Sequence, residues 1–291
     1  MREWQDCGGR AGVVAALVSL GQAAKSSDPA FQFHALRALG SLVSDHHDNQ
    51  SAAAAAGALP HLMQLLKSSN TALQESSNTA IQRGALGTLA RLVSDHQDNQ
   101  SAAAAAGAVP HLMQLTKSSD TALQEQAVYA LMCLVSEHHD NKSATAAAGA
   151  VPHLMQLTKS SNAALQQLAV QALGSLVSDH HDNQSAAGAA GAVPHLMQLT
   201  KSSNTALQQQ ATNVLKLLVF NHQDNQSAAA AAGVAPHLMQ LTMSSDVALQ
   251  HEALAPCSRA RIDCFQGIPE INGRMGVICG ELEQPSMMYQ T

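Results

Sequence analysis

Fifteen histidines in 291 residues raise the question of metal chemistry first. The strings SDHHDN at 44–49 and 178–183, and SEHHDN at 136–141, set imidazoles beside carboxylates, the donor types that zinc accepts. Neighbouring side chains such as His180, His181 and Asp182 diverge, however, and sister loops one helix spacing apart, roughly 10 Å, cannot share an ion bonded at about 2.0–2.1 Å. Two copies also carry Gln97 or Gln223 in place of the second His. These loops therefore read as polar connections whose His caps the C-terminal end of the helix before it. His61, His111, His153, His195 and His237 each follow a Pro, at a position expected to face outward. Neither a GxSxG nucleophile turn nor a phosphate-cradling GxxxxGK[ST] loop occurs. Cys7, Cys133, Cys257, Cys264 and Cys279 are odd in number and unevenly spaced, which suits reduced thiols rather than a disulfide frame or a zinc site. No catalytic residue, cofactor or metal ligand is assigned.

Composition narrows the elements that position these residues. Only 12% of residues are charged, about half the usual share. Hydrophobic residues make up 46%, yet the chain has one Trp, two Tyr and four Phe, so the core rests on aliphatic and small side chains. Ala is the best helix former and a poor strand former, and an all-α fold follows. A net charge of −6 offers no basic excess for a phosphate backbone, so nucleic acid is not expected as a partner. Nor is a membrane anchor, because no run of about 18 apolar residues or lipidation motif is present. A monomer in the cytoplasm or the nucleus is the expectation.

The string DNQSAAAAAGALPHLMQL returns nearly unchanged along the chain. Its Asp recurs at Asp48, Asp98, Asp140, Asp182 and Asp224, intervals of 50, 42, 42 and 42, and Gly57, Gly107, Gly149, Gly191 and Gly233 keep the same spacing. The eight extra residues in one interval come from a tandem copy, SSNTALQE at 68–75 followed by SSNTAIQR at 76–83. That copy either loops out or lengthens the third helix of its repeat.

One repeat, 140–181, reads as three helices. Asp140, Asn141 and Ser143 offer N-cap side chains to an Ala-rich first helix that ends at Gly149. Pro152 opens a short second helix carrying Leu154, Met155 and Leu157 as far as Lys159. After the cap cluster Ser160, Ser161 and Asn162, apolar residues at Leu165, Leu168, Ala169, Ala172, Leu173, Leu176 and Val177 mark a third helix of about 15 residues. Such a unit cannot enclose a core alone, so each must stack on the next.

This pattern resembles the armadillo repeat: AGAVPHLMQL, then SSN or SSD, then ALQ and AVQALGSLV in constant order. HEAT repeats are the near neighbour but have two helices and no AG turn before the Pro. The resemblance implies an armadillo-type α-solenoid, a right-handed superhelix of three-helix repeats over residues 12–255. A short extension, 1–11, would precede it, and an irregular tail, 256–291, would follow. It also implies a non-enzymatic scaffold or adaptor that holds an extended protein or peptide segment in a concave groove lined by third helices.

Nuclear-import adaptors of this architecture grip basic signal peptides with a Trp and, four residues later, an Asn. Here the Trp positions hold Arg37, Gly87, Tyr129, Gln171 and Asn213, and the Asn positions hold Ser41, Arg91, Cys133, Ser175 and Leu217. The ladder is absent and two of the ten positions are Arg, so the import reading is disfavoured. A metal-dependent enzyme built on the His-rich loops is the other alternative. Arg37, Ser41, Arg91, Tyr129, Cys133, Gln171, Ser175, Asn213 and Leu217 are the candidate peptide-binding residues. Amides of Gln171 and Asn213 would bond a peptide backbone, Tyr129 would stack on a side chain, and Arg37 with Arg91 would meet a carboxylate. Helices one and two are almost copied between repeats while these positions differ, which fits either tuning to a partner or drift on a solvated face.

Overall fold

The computed structural model describes residues 29–68 and 76–241; the expected N-terminal extension and the C-terminal tail lie outside them. The described residues form α1 (Pro29–Val43), α2 (His47–Ala55), α3 (Ala58–Ser68), α4 (Ser76–Val93), α5 (Gln97–Ala105), α6 (Ala108–Leu115), α7 (Thr121–Val135), α8 (His139–Ala147), α9 (Ala150–Leu157), α10 (Ala163–Val177), α11 (His181–Ala189), α12 (Ala192–Leu199), α13 (Thr205–Val219), α14 (Gln223–Ala231) and α15 (Val234–Leu241). No strand occurs among them. The chain divides into two compact units, Met1–Leu176 and Val177–Thr291. In the first, α4 packs against α1 on one side and α7 on the other. In the second, α13 packs on α12 and α14 on α11.

Each repeat is a short, a short and a long helix, and its punctuation is chemical. Gly57, Gly107, Gly149, Gly191 and Gly233 have φ between 70° and 85°, the left-handed turn that a residue without Cβ adopts at no cost. The N-cap of the first helix departs from expectation. Asp140, Asn141 and Ser143 do not cap α8; His138 does, its ring Nδ1 accepting from the Asn141 N–H at 3.3 Å. His46, His96, His180 and His222 take the same place before α2, α5, α11 and α14. These imidazoles thus cap the helix that follows, not the C-terminal end of the helix before. That end is closed instead by a left-handed residue, at Asp45, Asp95, Glu137, Asp179 and Asn221, with φ of 50–55°.

The third helix starts on a nested cap. The Asp120 side chain accepts from Leu123 N–H at 3.0 Å, while Ser118 Oγ accepts from Asp120 N–H at 3.1 Å. Gln124 of the ALQ motif then donates to the Thr116 carbonyl at 2.7 Å, which fastens α7 to the end of α6. Gln166 and Gln208 repeat that bond to Thr158 and Thr200. Thr116, Thr158 and Thr200 also turn their hydroxyls back onto Met113, Met155 and Met197, where the second helix stops. Leu66 replaces that Thr in α3 and is fully buried, and α3 runs to 11 residues where α6, α9 and α12 have 8. The second tandem copy enters a helix: α4 has 18 residues against 15 in α7. Residues 69–75 lie outside the described residues.

The core is a spine of Leu, Val and Ala, with Leu86, Leu112, Leu131, Leu154 and Leu173 fully buried in the first unit and Leu196 and Leu218 in the second. Met63, Met113, Met155 and Met197 are core side chains, as their place beside Leu implied. Between repeats runs a second, polar spine. Asn99 donates to Leu92 O at 2.8 Å and to Gln50 O at 3.3 Å, and Asn141 does the same to Leu134 and Gln100. Gln100 reaches forward to the Cys133 and Ser136 carbonyls at 2.9 and 3.0 Å. The first helix therefore satisfies orphan carbonyls at the end of two third helices, the preceding repeat's through Asn99 and its own repeat's through Gln100. His138 Nε2 completes the link with Ser101 Oγ at 2.7 Å. Because its Nδ1 is an acceptor, the neutral ring carries its proton on Nε2 and donates it to Ser101.

Candidate peptide-binding face

The residues singled out on the third helices divide between the two units. In the first, Arg37, Ser41, Arg91, Tyr129 and Gln171 are exposed, Ser175 is half-buried and Cys133 is buried. In the second, Asn213 is exposed and Leu217 half-buried. The heptad-like spacing that buries Leu86, Leu89 and Val93 of α4 turns Arg91 the other way, and α7 turns Tyr129 outward for the same reason. Tyr129 is 40% exposed, one of two large hydrophobic side chains so open among the described residues.

Arg91 lies across glycines rather than against an acid. Its Nη1 donates to the Gly87 carbonyl at 3.1 Å. A Cβ added at Gly40 would stand 3.3 Å from that nitrogen, and one added at Gly87 would stand 3.4 Å from it and 3.7 Å from Gln126 Oε1. Gly87 occupies the position that holds Arg37, Tyr129 and Gln171 in α1, α7 and α10, so a missing side chain makes the floor on which the guanidinium rests. Arg37 sits over the Phe33 ring, 5.8 Å from its centroid, a cation–π geometry. Ser41 donates to the Arg37 carbonyl within its own helix.

Tyr129 and Cys133 lie one helical turn apart, with side chains near enough that each shifts the titration of the other. Burial pushes the Cys133 thiol up to about 11, with the Tyr129 hydroxyl opposing the shift and Asp95 adding to it. The thiol is therefore protonated near neutrality and inert. The nearby Cys133 sulfur, then burial, raise the Tyr129 phenol, and Arg91 partly offsets this. A partner laid on this face would touch Tyr129, with Cys133 beneath it as packing. Sequence spacing put Gly87 among the groove positions but did not foresee that Gly40 and Gln126 shape the same surface.

The histidines assemble no metal centre: among the described residues no three His, Cys, Asp or Glu side chains gather where an ion could be held. Some meet in pairs instead: His47 lies tilted against His96 at 5.7 Å, and His181 stacks on His222 at 4.6 Å between ring centroids. His61, His111, His153, His195 and His237, expected on the surface, are half-buried. The reason is stacking: His153 Nε2 meets the Thr116 carbonyl of the repeat before it at 3.2 Å. No helix among the described residues is long and apolar enough to cross a membrane.

The sequence profile described as Plant U-box protein ARM repeat region matches residues 70–256. The chain belongs to this armadillo repeat family. A HEAT-like repeat profile matches residues 29–83, the part holding α1 to α3. No curated protein matches. Among solved structures, an engineered protein is similar at 28% identity over 82% of this chain and 93% of its own, with a TM-score of 0.74. A designed armadillo repeat protein in complex with the peptide (KR)4 is similar at 20% identity, covering 86% of this chain and 99% of its own, TM-score 0.73. Computationally designed armadillo repeat proteins for modular peptide recognition give 19% identity, 87% and 99% coverage and a TM-score of 0.71. The fold is an all-α armadillo-type solenoid.

Proposed function

We propose that the protein is a non-enzymatic scaffold or adaptor that holds an extended peptide segment of a partner on the third helices of its first unit. The observation that supports it most is the exposed row Arg37, Arg91, Tyr129 and Gln171 on α1, α4, α7 and α10, polar and aromatic side chains spread over helices that bury their apolar stripes in the core. Amides and a half-exposed aromatic ring suit a ligand that presents backbone N–H and C=O groups at regular intervals. The designed armadillo proteins of the same fold, described as binding (KR)4 and as built for modular peptide recognition, support a peptide ligand. Ser41, Ser175 and the buried Cys133 would support this row, and Asn213 and Leu217 occupy the equivalent places in the second unit. The cytoplasm, with the nucleus as alternative, is the proposed place of action.

Selection from a displayed library of random linear peptides against the full chain tests this. Enriched sequences should bind the wild type and lose about tenfold or more in affinity against the double variant Tyr129→Ala, Gln171→Ala. Enrichment of nothing, or equal binding to that variant, would overturn the proposal.

A further inference from the structure

Two cations stand on the proposed peptide face without a carboxylate. Arg37 rests on Phe33, and Arg91 spends one of its five N–H donors on the Gly87 carbonyl; no acid pairs with either among the described residues. Arg91 is held in place by its surroundings. The Gly87 carbonyl fixes one end, and the bare backbone at Gly40 and Gly87 lets Nη1 lie within 3.3–3.4 Å of where side chains would begin. A pre-set fork of this kind loses little freedom on meeting a carboxylate and can bond it through two parallel donors. Arg37 lies one turn before Gly40 on the same face of α1, so both charges flank the notch.

Resting on the peptide-binding reading, we infer that the partner segment carries an isolated Asp or Glu side chain, which docks on Arg91 between Gly40 and Gly87 with Gln126 and Tyr129 on the α7 side. The surrounding acids set the limit on charge. Asp45 and Asp95 close the C-terminal ends of α1 and α4, where each accepts from a neighbouring Ser hydroxyl, at 3.3 and 3.1 Å, and Glu137 closes α7. They would repel a run of acids, so a single carboxylate among neutral residues is the complementary ligand. The two arginines equally oppose an occupant made of Lys and Arg, in contrast to the designed armadillo protein bound to (KR)4.

The test uses the full chain and a phage-displayed library of random peptides of about twelve residues, long enough to cross three helices spaced about 10 Å apart. Enriched families should share one acidic position. Changing that residue to Gln in a synthetic peptide should weaken binding to the wild type about tenfold and leave binding to Arg91→Gln nearly unchanged, the coupling expected of a direct pair. Arg91→Lys should give an intermediate loss, and thermal melting should confirm that both variants fold. Families without an acidic position, families rich in Lys and Arg, or an acid-to-Gln change that costs the same on wild type and Arg91→Gln would overturn this inference while leaving a peptide-binding face. A library that enriches nothing would remove both.

Discussion

The side-chain amide of Asn141 donates to the backbone carbonyl of Gln100, 41 residues earlier, at 3.2 Å, and to that of Leu134 at 2.9 Å. One buried side chain thus joins the end of α7 to the first helix of the preceding repeat. Asn141→Ala leaves the Leu134 carbonyl without a partner where water has little access and takes a second bond from the Gln100 carbonyl, which keeps its bond within α5; it should destabilise the protein by about 1–3 kcal/mol. Asn141→Asp should cost at least as much, since an ionised carboxylate accepts only and would face two carbonyl oxygens. Urea unfolding measures both; a loss below about 0.5 kcal/mol for the Ala variant would show that water replaces the amide.

His138 does two jobs with its two nitrogens, accepting from the Asn141 N–H and meeting Ser101 Oγ. Nitrogen NMR of the labelled protein should find its ring in the Nε2–H tautomer. Removing it in His138→Ala should cost about 1 kcal/mol, the usual worth of an N-cap. His138→Asn should recover the cap but leave Ser101 unpaired. An Ala variant as stable as wild type would mean that the cap, at 3.3 Å, contributes nothing.

Much of this was legible. Helix order, the left-handed Gly turns, the Met core and the 15-residue third helix follow from a motif copied with its punctuation intact. Two features were misread because they depend on a neighbouring repeat. His138 looks like part of a polar loop in one dimension, and only stacking brings Ser101 to its far nitrogen. His153 follows Pro152 on what is the outer face of an isolated helix, yet the preceding repeat ends against it at Thr116. On the candidate face, the outward positions could be counted from the DN motif. The glycine floor under Arg91 could not, because a glycine's role there is defined by whose side chain fills the space it leaves.

Acid should weaken stacking through His111 and His153. Burial lowers both from the ordinary value of 6.5, helped by Lys67 and Lys117 respectively, with the Leu66 and Thr116 carbonyls only partly offsetting it. The unfolded chain therefore binds protons at these sites more readily than the folded one. Their contribution is complete above about 6.5 and declines as pH falls through the lower folded-state values. Urea midpoints compared at neutral pH and near pH 5 should show the decline, and the double variant His111→Gln, His153→Gln should flatten it. An unchanged slope would place the acid sensitivity elsewhere.

Glu137 holds a left-handed conformation, φ 55°, without the compensation its three Asp counterparts enjoy. Asp45, Asp95 and Asp179 accept a hydrogen bond from the preceding Ser hydroxyl at 3.1–3.3 Å, which a short carboxylate can do from that backbone; the longer Glu137 makes no such bond to Ser136. A β-carbon in this region costs about 1 kcal/mol or more. Glu137→Gly should therefore stabilise the protein by about 0.5–1 kcal/mol once the greater freedom of Gly in the unfolded chain is set against the relief. Glu137→Asp should gain less, through a restored bond to Ser136. Thermal or urea unfolding reads both, and a Gly variant less stable than wild type would show that the Glu137 carboxylate supports the fold. A stabilised Gly variant would instead mark an acid held at the edge of the α7 face at the expense of stability, to be tried next against the peptides selected on Arg91.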